Sequence, residues 1–453
     1  MSEFDVVVIG AGPAGEVCAG RLSEAGLSVA IVERELVGGE CSFYACMPSK
    51  ALLRPAELLA EVARVPGASQ TVCRELDPAD VLCRRDEVIH DLDDAAQVPW
   101  LESLGIALFR GRGRLVGERS VEVGDQHLTA RLAVVVATGT GAAMPPIPGL
   151  REVEPWTNRE GTTAHAVPES LLVIGGGVVG VELAQAWASL GTRVALIEAL
   201  PRLLAREEPF AGEQVADALR GRGVDVRVEV KVTSVERTSA GIRALTDDGS
   251  AIEAARLLVA VGRRPQTEDL GLEPYGVEPG RPISVDDQMR VKGHPWLYAV
   301  GDVNGRSLLT HMGKYQARIA AAAMLGQEAR ATEDGPGAPR VVFTDPHVAA
   351  VGLTLAGALE QGIEARAVDH PMAASAGASF YGRNAPGTAR IVVDEAAQVL
   401  VGATFTGPGV AEFLHAATIA IVGRVPLERL WHAVPSFPTR SEVWLKLLEK
   451  YGL

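Results

Sequence analysis

The chain has 453 residues, enough for several domains of ordinary size, and a formal net charge of −14. Nucleic-acid binding needs a concentrated basic face, and neither the overall charge nor any local cluster in the sequence supplies one. The apolar runs are shorter than the roughly 18 residues of a membrane span, and five cysteines are too few for a secreted disulfide framework. Composition therefore predicts a soluble, cytoplasmic protein with no membrane span and no nucleic-acid partner.

The first recognisable unit is a predicted strand, residues 4–9, that leads into Gly10, Gly12 and Gly15. A helix-like stretch and a second strand, LSVAIVE, follow, and the second strand ends at Glu33. In this order, the glycines allow a tight turn and close approach of the backbone to a pyrophosphate, which the helix N-terminus faces. The acid is placed to reach the adenosine ribose hydroxyls. The stretch therefore predicts a dinucleotide-binding unit.

The segment GGECSFYACMPSK, residues 38–50, holds Cys41 and Cys46 five positions apart. On a regular helix, five residues rise about 7.5 Å, beyond the roughly 6.8 Å that separates the Cα atoms of a disulfide. A bridge here requires a distorted turn, and such strain suits a disulfide that opens and closes. Two unpaired buried thiols are an alternative, whereas zinc is disfavoured because no second Cys/His cluster accompanies the pair. The remaining cysteines are predicted to be structural: Cys18, Cys73 and Cys83.

The stretch after the cysteines changes from helical to extended patterning. Residues 51–95 carry apolar side chains at three- and four-residue steps, which predicts helices, and residues 106–136 predict short strands separated by glycine turns. The last strand runs into VVVATGT, where Thr138 and Gly139 close it. The Pro-rich crossing MPPIPG that follows is a predicted domain boundary.

A second unit of the same kind lies in LLVIGGGVVGVELAQAWASLGTRVALIE, with Gly175, Gly177 and Gly180 before a predicted helix and Glu198 at the end of the next strand. The first glycine and the acid stand 23 positions apart in both units. The alternative is that the glycines serve only the packing of the sheets. In that case there would be no reason for both units to carry an acid at the matched position. The repeat therefore predicts two dinucleotide sites.

The chain after the second unit contains four further features. LLVAVGRRP, residues 257–265, is a predicted strand that includes Gly262, and LYAVGD places Asp302 at the end of another strand. HMGKYQARIAAAAML predicts a helix, and EDGPGAPR, from about Glu333, predicts a linker. The remainder alternates strands with helices and has no third glycine fingerprint.

Together, the two dinucleotide units, the Cys pair, the ATG turn and the late Gly-Asp resemble the pyridine nucleotide-disulfide oxidoreductases, which include dihydrolipoamide dehydrogenase, glutathione reductase and mercuric reductase. The resemblance covers essentially the whole chain, and the C-x4-C-x-P-S-K element is its most specific part. It implies an α/β protein with two Rossmann-like dinucleotide-binding domains and an α+β C-terminal dimerisation domain. The implied ranges are 1–150 and 271–335 for FAD, 151–270 for NAD(P) and 336–453 for dimerisation.

The resemblance also implies site residues. Asp302 would hold the ribityl chain of FAD, His311 and Met312 would offer backbone N–H groups to the flavin, and Lys50 and Glu182 would form an ion pair beside flavin N5. The alternative is that both residues are ordinary solvent-exposed side chains on helices. The implied contacts to FAD come from Gly10, Gly12, Gly15, Glu33, Lys50, Thr138, Gly139, Asp302, His311 and Met312, and those to NAD(P) from Gly175, Gly177, Gly180, Glu198 and Gly262.

The implied chemistry moves electrons from NADH through FAD to a Cys41–Cys46 disulfide and on to a small-molecule acceptor, in a homodimer. Cys46 would remain as a thiolate next to the flavin, and Cys41 would attack the acceptor. Glu198 favours NADH because a carboxylate there accepts from the 2′-hydroxyl and repels a 2′-phosphate. Arg202 leaves NADPH open.

The chain departs from the family pattern in its last segment. The family carries His-Pro-Thr followed by a Glu, and that histidine is the acid/base for the interchange thiol. Here the segment is SFPTRSE, with Phe437 at the histidine position and Glu442 retained. General acid–base catalysis is commonly worth about 10²- to 10⁴-fold, so a conventional disulfide reductase with this change is expected to be slow.

Three explanations for Phe437 stay open. Another group, namely His432, His415 or Tyr44, supplies the proton; the acceptor is a quinone, dye or metal ion that needs no base; or the acceptor is a small disulfide with an acidic leaving thiol. Phe437 would suit a flat aromatic acceptor by stacking. The predicted function is therefore electron transfer to a non-standard acceptor, a small disulfide or a quinone-like compound. The alternatives are a quinone reductase that works directly from the flavin and a non-catalytic FAD-binding subunit.

Overall fold

The structure is a computed structural model that describes residues 2–71, 75–239, 241–335, 337–383 and 387–453. It contains two compact units, each assembled from three segments. The first comprises Met1–Pro48, Asp86–Ala143 and Arg263–Ala338, and the second comprises Ser49–Arg85, Met144–Gly262 and Pro339–Leu453. The division follows packing, so the four domain ranges drawn from the sequence stay a prediction. Cys73 lies outside the described residues.

The strands of the described residues are β1 (Ser2–Ile9), β2 (Val29–Glu33), β3 (Ala107–Arg110), β4 (Gly113–Gly117), β5 (Ser120–Val123), β6 (Gln126–Val136), β7 (Thr140–Ala142), β8 (Ser170–Ile174), β9 (Arg193–Glu198), β10 (Asp225–Val228), β11 (Val232–Thr238), β12 (Gly241–Thr246), β13 (Ala251–Ala254), β14 (Arg256–Val259), β15 (Arg263–Pro265), β16 (Arg290–Val291), β17 (His294–Ala299), β18 (Arg340–Val342), β19 (His347–Gly352), β20 (Ala365–Pro371), β21 (Thr388–Asp394) and β22 (Val399–Gly407).

The α-helices of the same residues are α1 (Pro13–Glu24), α2 (Gly39–Phe43), α3 (Cys46–Arg64), α4 (Pro78–Val88), α5 (Val98–Ser103), α6 (Asn158–Thr163), α7 (Val178–Ser189), α8 (Pro209–Gly221), α9 (Thr310–Met324), α10 (Leu355–Glu360), α11 (Val410–Val422), α12 (Leu427–Leu430) and α13 (Val443–Tyr451). Short 3₁₀ turns cover Ser69–Thr71, His90–Leu92, Glu273–Tyr275, Asp302–Asn304, Met372–Ala374, Ala376–Tyr381 and Arg440–Glu442.

The first unit is built on a sheet in the order β16-β17-β6-β1-β2-β3, with β4 and β5 attached at β6. Strands β17, β6, β1, β2 and β3 pair in parallel. The apolar run of β1 is buried on both sheet faces, as expected for a parallel strand covered on two sides. Val6 and Val8 enter one core cluster, and Val7 and Ile9 enter the other.

The second unit repeats this design in a parallel four-stranded sheet, β10-β9-β8-β14. Its central strand β8 is buried throughout. Leu171 and Val173 pack into one cluster, and Leu172 and Ile174 pack into another that also includes side chains of the antiparallel sheet β11-β12-β13.

The C-terminal part of the second unit is an antiparallel sheet, β18-β19-β22-β21-β20. Helices α11 and α13 share a core cluster with it, which includes Phe405, Leu414 and Leu447. Two parallel dinucleotide-type sheets and this α+β domain confirm the predicted fold class.

Two details differ from the sequence prediction. LLVAVGRRP is not one strand: β14 ends at Val259 and β15 begins at Arg263, with Gly262 in left-handed backbone between them. The predicted linker is anchored at Asp334, whose carboxylate is buried and ion-paired with Arg306 at 2.8 Å. Composition could not reveal that contact because Arg306 is distant in sequence.

Among the described helices, none combines the length and apolarity needed to cross a bilayer.

Candidate functional site

Glycines let the first strand, turn and helix of both dinucleotide units approach closely. A Cβ at Gly10 would clash with the carbonyl oxygen of Ala137, and one at Gly15 would clash with the carbonyl oxygen of Gly10. In the second unit, a Cβ at Gly175 would clash with the carbonyl oxygen of Ala260, and one at Gly180 would clash with the carbonyl oxygen of Gly175. Only glycine fits such positions, so the spacing of both fingerprints has a steric cause.

The middle glycine of each fingerprint faces open space. Gly12 precedes α1 and Gly177 precedes α7, and a Cβ at either position would meet no other atom within 4 Å. Neither helix has a side-chain cap. An uncapped helix N-terminus beside open space is the arrangement that receives a pyrophosphate, so both units fit a dinucleotide.

The acid at the end of the second strand is held in both units by backbone N–H groups. Ala11 and Glu35 donate to the two oxygens of Glu33 at 2.7 and 2.8 Å. Gly176 and Leu200 donate in the same way to Glu198, at 2.6 and 2.8 Å. These bonds fix each carboxylate at the turn, while its remaining lone pairs can accept from ribose hydroxyls.

Asp302 follows β17 in a 3₁₀ turn of the first unit. Thr140 donates to its carboxylate at 2.9 Å, and the guanidinium of Arg263 lies 3.9 Å from it. Burial raises the pKa of Asp302 above its usual range, against the opposing effects of Arg263 and Thr140. The hydroxyl of Thr138 donates to the carbonyl of Gln266 at 2.8 Å, beside Gly139 in left-handed backbone.

Helix α9 begins at Thr310, and its N-terminus has no side-chain cap. His311 and Met312 therefore lie in its first turn, where backbone N–H groups point outward. The N–H of Met312 bonds to the carbonyl of Leu309 at 3.0 Å. Their contact with a flavin stays a prediction.

The helix carrying the cysteines is broken between them. Cys41 lies in α2, which ends at Phe43, and Cys46 is the first residue of α3. Tyr44 has non-helical backbone between the two helices, which supplies the distorted turn that the five-residue spacing requires. Both cysteines are free thiols in this structure. A hydrogen bond between them, followed by burial, raises the pKa of Cys41.

A hydroxyl from another element contacts the second cysteine. The Oγ1 of Thr310 lies 3.5 Å from the Sγ of Cys46. Cys46 thus lies at the N-terminus of α3 and beside the N-terminus of α9, and both helix dipoles favour a negative sulfur. Thr310 was not predicted to lie at this site, because nothing local in the sequence indicates a contact to a residue 264 positions away.

Within the second unit, Lys50 and Glu182 form the ion pair expected from the resemblance. Their charged atoms lie 2.7 Å apart, and Glu182 is almost fully buried. The other oxygen of Glu182 accepts from the N–H of Phe343 at 2.9 Å, and the ring of Phe343 lies 4.7 Å from the Lys50 ammonium. The lysine is therefore held by a carboxylate and a ring face, whereas its place beside the flavin stays a prediction.

The segment with the altered histidine position is exposed. The side chain of Phe437 is 76% accessible, and Glu442 accepts from the N–H of Gly377 at 3.1 Å. Glu442, which in the family pattern accompanies the histidine, here holds a backbone turn. Of the alternative bases, His432 and His415 are exposed and Tyr44 is half-buried.

The described ranges contain no group of three or more His, Cys, Asp or Glu side chains placed to hold a metal ion.

Comparison with known protein families agrees with this geometry. The sequence model described as pyridine nucleotide-disulphide oxidoreductase matches residues 4–324, and that of the dimerisation domain of the same family matches residues 338–448. The chain belongs to the pyridine nucleotide-disulphide oxidoreductases. The family prediction is confirmed, and the chain is an FAD-dependent oxidoreductase of a family that uses NAD(P)H.

Individual relatives span most of the chain. Dihydrolipoyl dehydrogenase of Chlamydia muridarum is 32% identical, over 97% of this chain and 95% of the relative. Mercuric reductase of Acidithiobacillus ferrooxidans is 33% identical, over 94% and 79%. The solved structure of the Cu(II) complex of the HOCl-induced flavoprotein disulfide reductase RclA from Escherichia coli superposes with a TM-score of 0.88 at 25% identity, covering 99% of both chains.

Proposed function

We propose that this pyridine nucleotide-disulphide oxidoreductase carries electrons from NADH, through FAD and the Cys41–Cys46 pair, to a small disulfide. The main support is the placement of Cys41 and Cys46 on either side of a break between two helices, with the Thr310 hydroxyl 3.5 Å from the Cys46 sulfur. A chain that had lost thiol chemistry would have no need to keep two cysteines on either side of a broken helix.

The residues of the first unit fit FAD. Gly10, Gly12 and Gly15 would admit its pyrophosphate, Glu33 would bind its adenosine ribose, and Asp302 would bind its ribityl chain. When bound, FAD accepts a hydride from the nicotinamide and passes two electrons to the disulfide. Thr138 and Gly139, which follow the end of β6, and His311 and Met312, at the start of α9, would also contact FAD.

The protein's own contribution is to control protons at the two sulfurs. Opening the disulfide takes two electrons and one proton, which leaves a thiol and a thiolate. The raised pKa of Cys41 supports assigning the proton to this residue. The hydroxyl of Thr310 and two helix N-termini support assigning the negative charge to Cys46. Cys41 would then form the mixed disulfide with the acceptor.

A quinone-like acceptor is the second candidate, and Phe437 favours it. The ring is exposed where the family has an imidazole, and an exposed ring can stack on a flat acceptor. Two of the similar proteins have names that point to metal ions, mercuric reductase and the RclA structure with Cu(II). Metal ions therefore belong in the same set of acceptors to be tested.

We also propose NADH as the preferred donor. Glu198 is the last residue of β9, both of its oxygens are fixed by N–H groups, and its charge disfavours a 2′-phosphate. The guanidinium of Arg202, the cation that could otherwise bind that phosphate, donates to the carbonyl of Ala205 at 2.9 Å, which engages one of its five N–H donors. Gly175, Gly177, Gly180 and Gly262 would admit the nicotinamide dinucleotide.

The dimerisation domain supports a homodimer. Several large apolar side chains of this domain are exposed in the single chain, namely Phe380, Ile419, Val422, Val434 and Phe437. Exposed apolar side chains that recur within one domain are typical of a surface that another chain covers.

The function is tested by following NADH oxidation with small disulfides, quinones, Cu(II) and Hg(II) as acceptors, and by repeating the assay with NADPH. We expect turnover of at least one small disulfide, with a kcat/KM for NADH about tenfold or more above that for NADPH, because a carboxylate repels the extra phosphate. Turnover with quinones alone would replace the disulfide with the second candidate. A preference for NADPH would contradict the role given to Glu198.

Restoring the histidine tests the altered position. We expect Phe437→His to raise disulfide turnover by about tenfold, less than the full effect of a general base, because one oxygen of Glu442 already accepts from Gly377 and so restricts how this carboxylate could orient the new ring. Phe437 is exposed, so the change carries no packing cost in the single chain. Phe380→His, at an exposed ring of the same domain, is the matched control. An unchanged rate in a variant that retains FAD would mean that the proton already comes from elsewhere.

A further inference from the structure

Arg440, in the 3₁₀ turn Arg440–Glu442, is a buried cation without an acidic partner in the described part of the chain. The residue retains 9% of its accessible surface. Among the described residues, its guanidinium forms no hydrogen bond and no ion pair, and the residues outside those ranges include no aspartate or glutamate. Arginine is almost never buried to this extent unless it is paired, so its position calls for a chemical explanation.

The contact that Arg440 does make leaves its N–H donors without acceptors. Its guanidinium carbon lies 4.8 Å from the centre of the Tyr381 ring. A ring face attracts the charge, but it does not supply the oxygen acceptors that the five N–H donors of a guanidinium require. Burial lowers the pKa of Arg440, against a smaller effect of Tyr381, as expected for a cation that has lost water without gaining an anion.

The N-terminus of α11 lies beside the same guanidinium. A Cβ at Gly409, the residue that precedes α11, would lie 3.8 Å from Nη1 of Arg440. Gly409 has left-handed backbone and provides no side-chain cap for the 13-residue helix. The N–H groups at the start of an uncapped helix carry a partial positive charge. Two positive groups therefore lie next to each other, which is favourable only when an anion joins them.

The acids nearest to Arg440 along these two elements do not supply that anion. Glu412, in the first turn of α11, is exposed and forms no ion pair with Arg440. Glu442, two residues after Arg440, accepts instead from the N–H of Gly377 at 3.1 Å. We therefore expect the balancing charge to come from outside the chain.

We propose that Arg440 and the N-terminus of α11 bind a carboxylate carried on an apolar body. A guanidinium offers paired N–H donors that match the two oxygens of a carboxylate, and its single charge balances a carboxylate better than the nearly double charge of a phosphate. Exposed rings nearby in the sequence indicate the apolar body: Phe380, next to Tyr381, is 68% accessible, and Phe437 lies three residues before Arg440. The site does not depend on the proposed reduction of a disulfide.

Two sources fit this chemistry, a free apolar carboxylate and a carboxylate of a second copy of this chain. The second source fits because the site lies within residues 338–448, which match the dimerisation domain of the family. Both sources require a carboxylate at Arg440. They differ in whether the intact homodimer binds an added carboxylate, because a partner's carboxylate would already fill the site.

The test titrates the FAD-loaded homodimer with sodium benzoate in a calorimeter, with inorganic phosphate as the comparison. For a free carboxylate we expect one benzoate per chain, bound more tightly than phosphate. Arg440→Met is expected to weaken this binding by about tenfold to a hundredfold, the range for hydrogen bonds to a charged group. Arg440→Lys retains the charge without the paired donors, so its affinity should fall between those of the parent and Arg440→Met. Arg429→Met, at an exposed arginine of α12, is the matched control and should bind as the parent does.

The second source is tested by the exchange of subunits between differently tagged homodimers, a rate that can be measured however tight the dimer is. If a second copy supplies the carboxylate, the parent homodimer binds no benzoate, and Arg440→Met speeds the exchange by about tenfold or more. Loss of one partner of a buried charge pair acts mainly on dissociation, which is the step that limits exchange. Arg429→Met should exchange at the parent's rate.

Either of these two results supports the carboxylate site and identifies its source. Equal benzoate affinity in the parent and Arg440→Met, or no binding in either, would overturn the proposal if subunit exchange is also unchanged. Phosphate that binds at Arg440 more tightly than benzoate would overturn the carboxylate. If Arg440→Met does not retain FAD, Arg440→Lys decides in the same way, because a parent affinity and a parent exchange rate in that variant leave the paired donors without a role.

Discussion

Cys41→Ser is expected to abolish disulfide turnover while the protein still binds FAD. Serine cannot form the mixed disulfide with an acceptor, and the remaining Cys46 has no partner with which to close a disulfide. The change removes one sulfur from a half-buried position, so its effect on folding is small compared with its effect on chemistry. Anaerobic titration with dithionite gives the direct measurement: about four electrons per FAD in the parent chain and about two in the variant, since each redox group takes two.

The matched control for Cys41→Ser is Cys83→Ser, at an exposed cysteine of α4. This variant is expected to behave as the parent in both assays. Quinone turnover is informative in the Cys41→Ser protein, because electrons that reach a quinone directly from the flavin do not pass through the thiols. Disulfide turnover that survived in Cys41→Ser would contradict the function proposed for the pair, whereas surviving quinone turnover would show that the flavin can act alone.

Glu182→Ala is expected to slow reduction of the bound flavin by NADH by about tenfold to a hundredfold. Glu182 neutralises Lys50 at 2.7 Å and accepts from the N–H of Phe343 at 2.9 Å, so the change frees the lysine and leaves a backbone donor unpaired. The resemblance to the family implies that this pair lies beside flavin N5, where a fixed charge would tune the electronics of the ring, and losing one fixed electrostatic contact at a reaction centre typically has an effect of this size or larger. Anaerobic stopped-flow absorbance of the flavin measures the rate.

A second substitution at the same position separates the two contacts of Glu182. Glu182→Gln retains an acceptor for the Phe343 N–H but removes the charge that pairs with Lys50. If the charge matters, both variants are slow; if only the backbone bond matters, the glutamine variant is as fast as the parent. Glu213→Ala, at an exposed position of α8, controls for the loss of a carboxylate elsewhere in the chain. If NADH reduced the flavin of both Glu182 variants as fast as that of the parent, the Lys50–Glu182 pair would have no part in this reaction.

The sequence alone predicted the parts of the fold that depend on local pattern. The two glycine fingerprints, the paired acids Glu33 and Glu198, and the helix after Thr310 follow from short-range steric and periodic rules. The five-residue spacing of the cysteines also required a break in the helix, and the break is present at Tyr44. Each of these features is determined by residues within about 25 positions of one another.

The contacts missed by the sequence analysis join residues far apart in the chain. Thr310 reaches Cys46 across 264 positions, and Glu442 bonds to Gly377 across 65. Long-range polar contacts leave no periodicity, which is why they were not predicted.

The backbone bonds of Glu198 also limit how the nucleotide preference of this chain could be redesigned. Removing the carboxylate would relieve its repulsion of a 2′-phosphate, but it would also take the acceptor away from the N–H groups of Gly176 and Leu200. These two donors shape the turn on either side of the glutamate. A switch from NADH to NADPH would therefore need a residue in place of Glu198 that still accepts from the same N–H groups, such as a serine or asparagine. It would also need a new cation nearby.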